Sequence, residues 1–239
     1  VASWDYDGSI DRWPVKPEQL WECQRGRVMA HDLCAGTPNH MLAADCIFVD
    51  PPYNLAALNA FRTKAGIKEK SESFEWFFKA LFRTIDTIKP RTCFIEIGRQ
   101  YLPATEIALR ERFPYVEHWR GTYYHTPTNV CWIVRGGNER ATLDLEGVDE
   151  ADAVAEICRQ EAFETIADPC MGRGLVGINA YKAQRRFVGT ELNASRLAVM
   201  INAIHKLGGD WHVDGTRYEP QPGVKRPVGA DRKNSRQQL

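Results

Sequence analysis

Apolar positions along the chain fall into two kinds of run. Short, nearly unbroken runs bounded by acids, prolines or glycines have the length and composition of buried strands. The clearest is Asp45-Cys46-Ile47-Phe48-Val49-Asp50, which stops at Pro51. Thr92 to Ile97, Phe163 to Asp168 and Arg186 to Thr190 repeat the pattern, and Arg27 to His31 is a shorter example. The other kind recurs at steps of three and four: Phe74, Phe77, Phe78, Leu81, Phe82, Ile85 and Ile88. That period predicts an amphipathic helix opened by Ser71 or Ser73 and stopped before Pro90. Further helices are predicted over 101–112, 149–160 and 174–183. A last one is capped by Asn193, carries Leu197, Met200, Ile201, Ile204 and Leu207, and ends at Gly208-Gly209. Two β-rich stretches, 116–124 and 129–134, lie between, and the polar, Lys-rich residues 54–72 read as a loop. Strands alternating with helices predict an α/β fold: a mostly parallel sheet with helices on both faces.

Composition adds bounds. A chain of 239 residues that is 44% apolar and 26% charged suits one large α/β domain, or at most two small ones, and can bury a substantial core. No apolar run approaches the roughly 18 residues of a membrane span, and the start does not resemble a secretory signal. Seven widely spaced cysteines, with neither a Cys-x-x-Cys nor a His-x-x-x-His, predict incidental thiols in a reducing cytosol, with no disulfide frame and no metal site. The expected location is therefore cytoplasmic. The zero net charge conceals segregation: residues 139–164 hold nine acids and two bases, residues 215–239 six bases and two acids. The expected organisation is an N-terminal arm (1–25) that packs Trp4, Trp13 and Trp21 onto the body, a domain over 26–214, and a basic, mobile tail (215–239).

Two loops carry candidate chemistry. Asp50-Pro51-Pro52-Tyr53-Asn54 follows a buried strand. Its prolines fix φ and remove two donors, so nearby carbonyls become rigid acceptors. Asp50 sits at the carboxyl end of its strand, where open α/β sheets place ligands, and Tyr53 adds a stacking face. The guest that fits is a planar ring bearing an NH2 group, although a plain strand-capping turn has the same residues. Asp168-Pro169-Cys170-Met171-Gly172-Arg173-Gly174 follows another strand and opens a helix. Gly172, Gly174 and Gly177 complete a G-x-G-x-x-G run, and Glu191 ends the next strand, where an acid can hold ribose hydroxyls. A pyrophosphate on this helix would lie beside Asp168 and be repelled. S-adenosylmethionine has an ammonium that Asp168 can pair with, so it is favoured over NAD.

Together the two loops resemble those of S-adenosylmethionine-dependent amino-methyltransferases of DNA. Asp50 to Tyr53 is similar to that family's catalytic loop and Asp168 to Gly174 to its cofactor loop. Val28-Met-Ala-His-Asp32 resembles the strand and acid used near the cofactor adenine, and Val188-Gly-Thr-Glu191 the ribose-binding segment. The catalytic loop comes first, as in the permuted β class. The resemblance spans about residues 26–209 and implies a single Rossmann-like methyltransferase domain with a mostly parallel, seven-stranded sheet. Cys170 departs from the Phe common there. No separate target-recognition domain is visible, so recognition falls to residues 54–72, the 116–134 hairpin region, the chain ends or a partner.

The resemblance implies methyl transfer from S-adenosylmethionine to the N6 amino group of adenine in double-stranded DNA, with the base flipped out. Asp50, Pro51, Pro52 and Tyr53 would be catalytic. Asp32, Asp168, Pro169, Cys170, Gly172, Gly174 and Glu191, with Asp50, would hold the cofactor. Tyr53, Asn54, Arg62 and Lys64 would meet the substrate, the basic pair at phosphates. A homodimer is compatible with the sequence. The other readings are N4-cytosine, RNA or protein-amide methylation, an NAD-dependent oxidoreductase, and a non-catalytic cofactor-binding subunit.

Overall fold

The structure, a computed structural model, describes residues 8–221. In chain order its elements are α1 (Ser9–Arg12), β1 (Leu20–Glu22), β2 (Gly26–Ala30), β3 (Cys46–Val49), α2 (Leu55–Lys64), α3 (Phe74–Ile88), β4 (Thr92–Ile97), α4 (Leu102–Arg110), β5 (Tyr115–Tyr123), β6 (Thr126–Gly137), α5 (Glu150–Gln160), β7 (Thr165–Asp168), α6 (Leu175–Lys182), β8 (Arg186–Glu191), α7 (Ala194–Lys206), β9 (His212–Val213) and β10 (Thr216–Arg217). Ser73 caps α3 by accepting a hydrogen bond from the Glu75 amide, and Asn193 caps α7 through the Ser195 amide. Lys89, in the left-handed region, ends α3 directly before Pro90.

The sheet has ten strands in the order β10-β9-β1-β2-β8-β7-β3-β4-β6-β5. Its five central strands, β2 to β4 in that order, run parallel. β6 and β5 add antiparallel strands beyond β4, and β1, β9 and β10 do so beyond β2. The expected seven-stranded, mostly parallel sheet is therefore corrected to a mixed, ten-stranded one. Short connections are the reason for the pairs β1–β2, β5–β6 and β9–β10. Strands joined by a tight turn can only lie antiparallel, while parallel neighbours need a crossover. β1, β9 and β10 are two or three residues long, too short to carry an alternating pattern.

All four residues of β3 are buried, because both of its faces are covered. Cys46 and Phe48 join one apolar cluster with Val154, Ile157, Ala180, Leu197 and Ile201, the inner faces of α5, α6 and α7. Ile47 and Val49 join the other, with Phe77, Leu81 and Ile85 of α3 and Leu109 of α4. Trp13 and Trp21 are fully buried and meet Tyr218, with ring centroids 5.6 and 4.9 Å away. The Tyr218 amide also bonds the Trp211 carbonyl, so the start of the basic tail is fastened to the body. Trp4 and residues 222–239 lie outside the described residues. Among those described, no helix is long and apolar enough to cross a membrane.

A second difference concerns residues 54–72, read as a loop. They contain α2, whose N-cap is Asn54: its side chain accepts from the Ala57 amide at 2.9 Å. Only Leu58 of this helix is buried, so its apolar period is weak. The cap and the Ala-rich first turns favour the helix locally.

Candidate active site

β3 and β7 are parallel neighbours, with Cys46 opposite Ile166 and Ile47 opposite Ala167. Asp50 and Asp168 therefore emerge at the same edge of the sheet. Between their loops lies a cleft of about 880 Å3. Asp32, the run Asp50 to Asn54, Arg62, Asp168, Pro169, Cys170, Gly172 and Glu191 all line it; Gly174 and Lys64 do not.

On the Asp168 side, backbone geometry fixes the loop. Asp168 Oδ1 accepts from the Cys170 amide at 3.0 Å. Gly174 caps α6 with φ at 88°, and a Cβ there would come within 1.9 Å of Met200 Cγ, so only glycine fits. Glu191 receives the Gly172 amide at 2.6 Å and the Asn193 amide at 2.8 Å, tying the loop to the end of β8. Asp168 is almost fully buried. Burial holds its carboxyl well above the usual range, and Asp50, Glu191 and Glu150 add repulsion. Burial likewise raises Glu191, opposed by its backbone donors and by Arg196. This donor set fits a cation with hydroxyl groups and disfavours a pyrophosphate. Cys170 is half-buried and burial pushes its thiol up, so it is inert as a nucleophile.

The opposite wall is built on the Asp50 loop. Pro51 and Pro52 are buried. The Tyr53 hydroxyl donates to Glu96 Oε1, and its ring meets Tyr123 edge-on with centroids 6.0 Å apart. Glu96 comes from β4, is fully buried, and leaves Oε2 without a hydrogen-bond partner among the described residues. Glu150, in the first turn of α5, completes a group in which carboxylate oxygens of Asp50, Glu96 and Glu150 lie within 4.8 Å of one another. Asp50 is open to the cleft yet backed by protein. Desolvation and then Glu150 push its carboxyl up to about 8, against the pull of Arg196 and the Tyr53 hydroxyl.

Two elements overhang the cleft. α2 places Phe61 and Arg62 in its lining. Arg62 Nη1 pairs with Asp32 Oδ2 at 3.2 Å and its Nε donates to the Glu69 carbonyl, leaving the side chain 12% exposed. Arg62, expected to meet a substrate phosphate, has its charge engaged by Asp32 at the cleft wall. Asp32, expected near the cofactor adenine, accepts from the Cys34 amide with its other oxygen. Lys64 lies over the Phe61 ring at 5.8 Å, and its carbonyl accepts from Asn193 Nδ2. Arg196 lies over the same ring at 4.9 Å. The second overhang is the β5–β6 turn. Tyr124 and His125 both have positive φ (58° and 49°), the backbone of a two-residue hairpin turn. Asp149 steadies it, accepting from the His125 amide and the Thr122 hydroxyl while capping α5.

Sequence reasoning missed Glu96, Glu150 and Arg196, and reached Phe61 and the Tyr123–His125 tip only as parts of the 54–72 and 116–134 stretches. Glu96 had a signal: a carboxylate inside the apolar run Thr92 to Ile97 is costly unless used. Glu150 is hidden within an acidic stretch, and the rest show no local pattern.

No family model matches the chain, and no curated protein matches it in sequence. Solved structures do match in fold. The PvuII DNA methyltransferase, described as cytosine-N4-specific, aligns with a TM-score of 0.51 at 10% identity, over 77% of this chain and 93% of its own. TTHA0409 of Thermus thermophilus, provisionally assigned as a DNA modification methylase, aligns at 0.50 and 16% identity, over 77% and 96%. The same protein complexed with S-adenosyl-L-methionine aligns at 0.50 and 15%, over 73% and 91%. The chain has the α/β fold of these DNA methyltransferases.

Proposed function

We propose that the chain transfers a methyl group from S-adenosylmethionine to an exocyclic amino nitrogen of a base in DNA. The observation that carries this reading is the single cleft into which the Asp50 and Asp168 loops both open. Bound there, the cofactor supplies an electrophilic methyl on a sulfonium. Asp168 pairs with its ammonium, and Glu191 receives its ribose hydroxyls. Asp50 and the Pro51 carbonyl accept the two hydrogens of the target amino group. They localise the nitrogen lone pair and stabilise the positive charge that develops there. Tyr53, held by Glu96 and Tyr123, offers its ring to a base extruded from the stack.

Adenine N6 is the favoured target, from the acid that opens the Asp50 loop. Cytosine N4 is the second reading, favoured by the stated specificity of the PvuII enzyme. An NAD-dependent oxidoreductase would set a pyrophosphate beside Asp168 and Glu191 and leave the Asp50 loop without a role. The test is incubation with labelled S-adenosylmethionine and unmethylated DNA, RNA or protein, then nucleoside mass spectrometry. N6-methyladenine is expected. N4-methylcytosine would establish the second reading, and label in protein or RNA alone would refute both.

A further inference from the structure

α2 sits beside the cleft with little apolar anchoring. Of its ten residues only Leu58 is buried, so polar and cation–ring contacts decide where the helix sits. Its start is tied to the Asp50 loop through the Asn54 cap. Its last turns reach the other side. Arg62 Nη1 pairs with Asp32 Oδ2 at 3.2 Å, the Lys64 carbonyl accepts from Asn193 Nδ2 at 3.2 Å, and Arg196 lies over the Phe61 ring at 4.9 Å. Those three partners belong to one edge of the sheet. β2 and β8 are parallel neighbours with Ala30 opposite Glu191, and the His31 amide donates to the Glu191 carbonyl at 3.1 Å. Asp32 follows β2, and Asn193 and Arg196 follow Glu191. Asp32, Glu191 and Phe61 all line the cleft.

We propose, on the basis of the function above, that α2 is the outer wall of the cofactor site at its adenosine end, with Phe61 covering the adenine and Arg62 as a positioning residue that acts through Asp32. The adenosine half of S-adenosylmethionine is an uncharged planar ring on a sugar with two hydroxyls. Such a group is held by apolar cover and by a few placed acceptors for its N–H and O–H groups. Glu191 and Asp32 supply the acceptors. Phe61 supplies cover: it is half-buried in the cleft lining, so a ring laid against it takes apolar surface out of water. A carboxylate on a loop binds best when it is already fixed in place. The Cys34 amide holds Asp32 Oδ1, and Arg62 holds Oδ2. Arg62 is fixed in turn by the Glu69 carbonyl, to which its Nε donates at 3.2 Å.

The competing role for Arg62 is a contact to a DNA phosphate. A residue with that duty presents its guanidinium to water, because phosphates arrive from outside. Arg62 is 12% exposed and faces a carboxylate that a phosphate would have to displace. Lys68 and Lys70, in the connection from α2 to α3, are exposed and stand outside the cleft lining, so they suit that duty better.

The test is calorimetry of the DNA-free protein with two probes: S-adenosylhomocysteine, and 5′-methylthioadenosine, which keeps the adenosine end and lacks the amino-acid end. Arg62→Ala and Phe61→Ala should each weaken both probes by about tenfold, the effect of one lost charge-assisted or aromatic contact. Arg62→Ala combined with Asp32→Asn should lose less than the two single changes together, because Arg62 acts through Asp32. DNA affinity without cofactor, and its salt dependence, should be unchanged in Arg62→Ala. Unchanged probe affinity with a salt slope lower by about one would make Arg62 a phosphate contact and overturn the proposal. A loss seen with S-adenosylhomocysteine but not with 5′-methylthioadenosine would overturn it too, as would probes and DNA weakening together, the mark of a loosened cleft. A wild type that binds both probes but methylates no DNA would overturn the parent function alone, since the probe titrations still decide the place of α2. A wild type that binds neither probe would overturn both.

Discussion

At the scale of single residues, Asp50 joins chemistry to stability. Asp50→Asn should lower methyl transfer by about two to three orders of magnitude, as loss of one preorganised electrostatic contact does, with cofactor affinity little changed. The same variant should alter the pH dependence of folding. Asp50 keeps its proton up to about pH 8 in the fold, whereas an unfolded aspartate ionises near pH 4. Between those values the folded chain holds more protons than the unfolded one, so this group makes stability fall as pH rises, until the loss is complete above pH 8. Melting curves from pH 5 to 8.5 should be flatter for Asp50→Asn, with a higher Tm than wild type at the alkaline end. Asp168→Asn should instead weaken S-adenosylmethionine binding, by about tenfold to a hundredfold for one charge-assisted contact; titration calorimetry reads this directly.

Among elements, the β5–β6 hairpin and α2 frame the site, and neither is fully legible in the sequence. The two β stretches are visible there, but their turn is not. Tyr124 and His125 lack the Asn-Gly chemistry that marks such a turn. Holding an aromatic residue in the left-handed region costs roughly 1–2 kcal/mol, and Tyr124 is 73% exposed, so it gains little packing in return. Tyr124→Asn should raise stability by about 0.5–1 kcal/mol in denaturant unfolding while weakening DNA binding, as expected where a strained residue serves a ligand. α2 escapes notice for the opposite reason. Its determinant is the single capping side chain of Asn54, and its partners Asp32, Asn193 and Arg196 come from distant parts of the chain.

For the whole molecule, the legible part is the pair of loops and the strands that end in them, because continuous apolar runs and glycine spacing are local signals. Strand order is not local. The resemblance implies that the Asp50 and Asp168 strands are neighbours, and they are; that Glu96 and Glu150 close on Asp50 follows only from packing α3 and α4 on one face of the sheet and α5, α6 and α7 on the other. The polar stretch after β6, exposed over 138–140, is the only covalent link between the part of the chain bearing Asp32, Asp50 and Glu96 and the part bearing Glu150, Asp168 and Glu191. The halves are held instead by the β3–β7 and β2–β8 ladders and by two shared cores. A chain severed after Arg140 and co-expressed as two pieces should therefore reassemble and regain activity, each piece alone remaining inert; failure of the pieces to co-purify would show that the link itself is needed. The acids proposed for the ammonium and ribose, Asp168 and Glu191, and the loop proposed for the target base would then sit on separate polypeptides, brought together by the sheet.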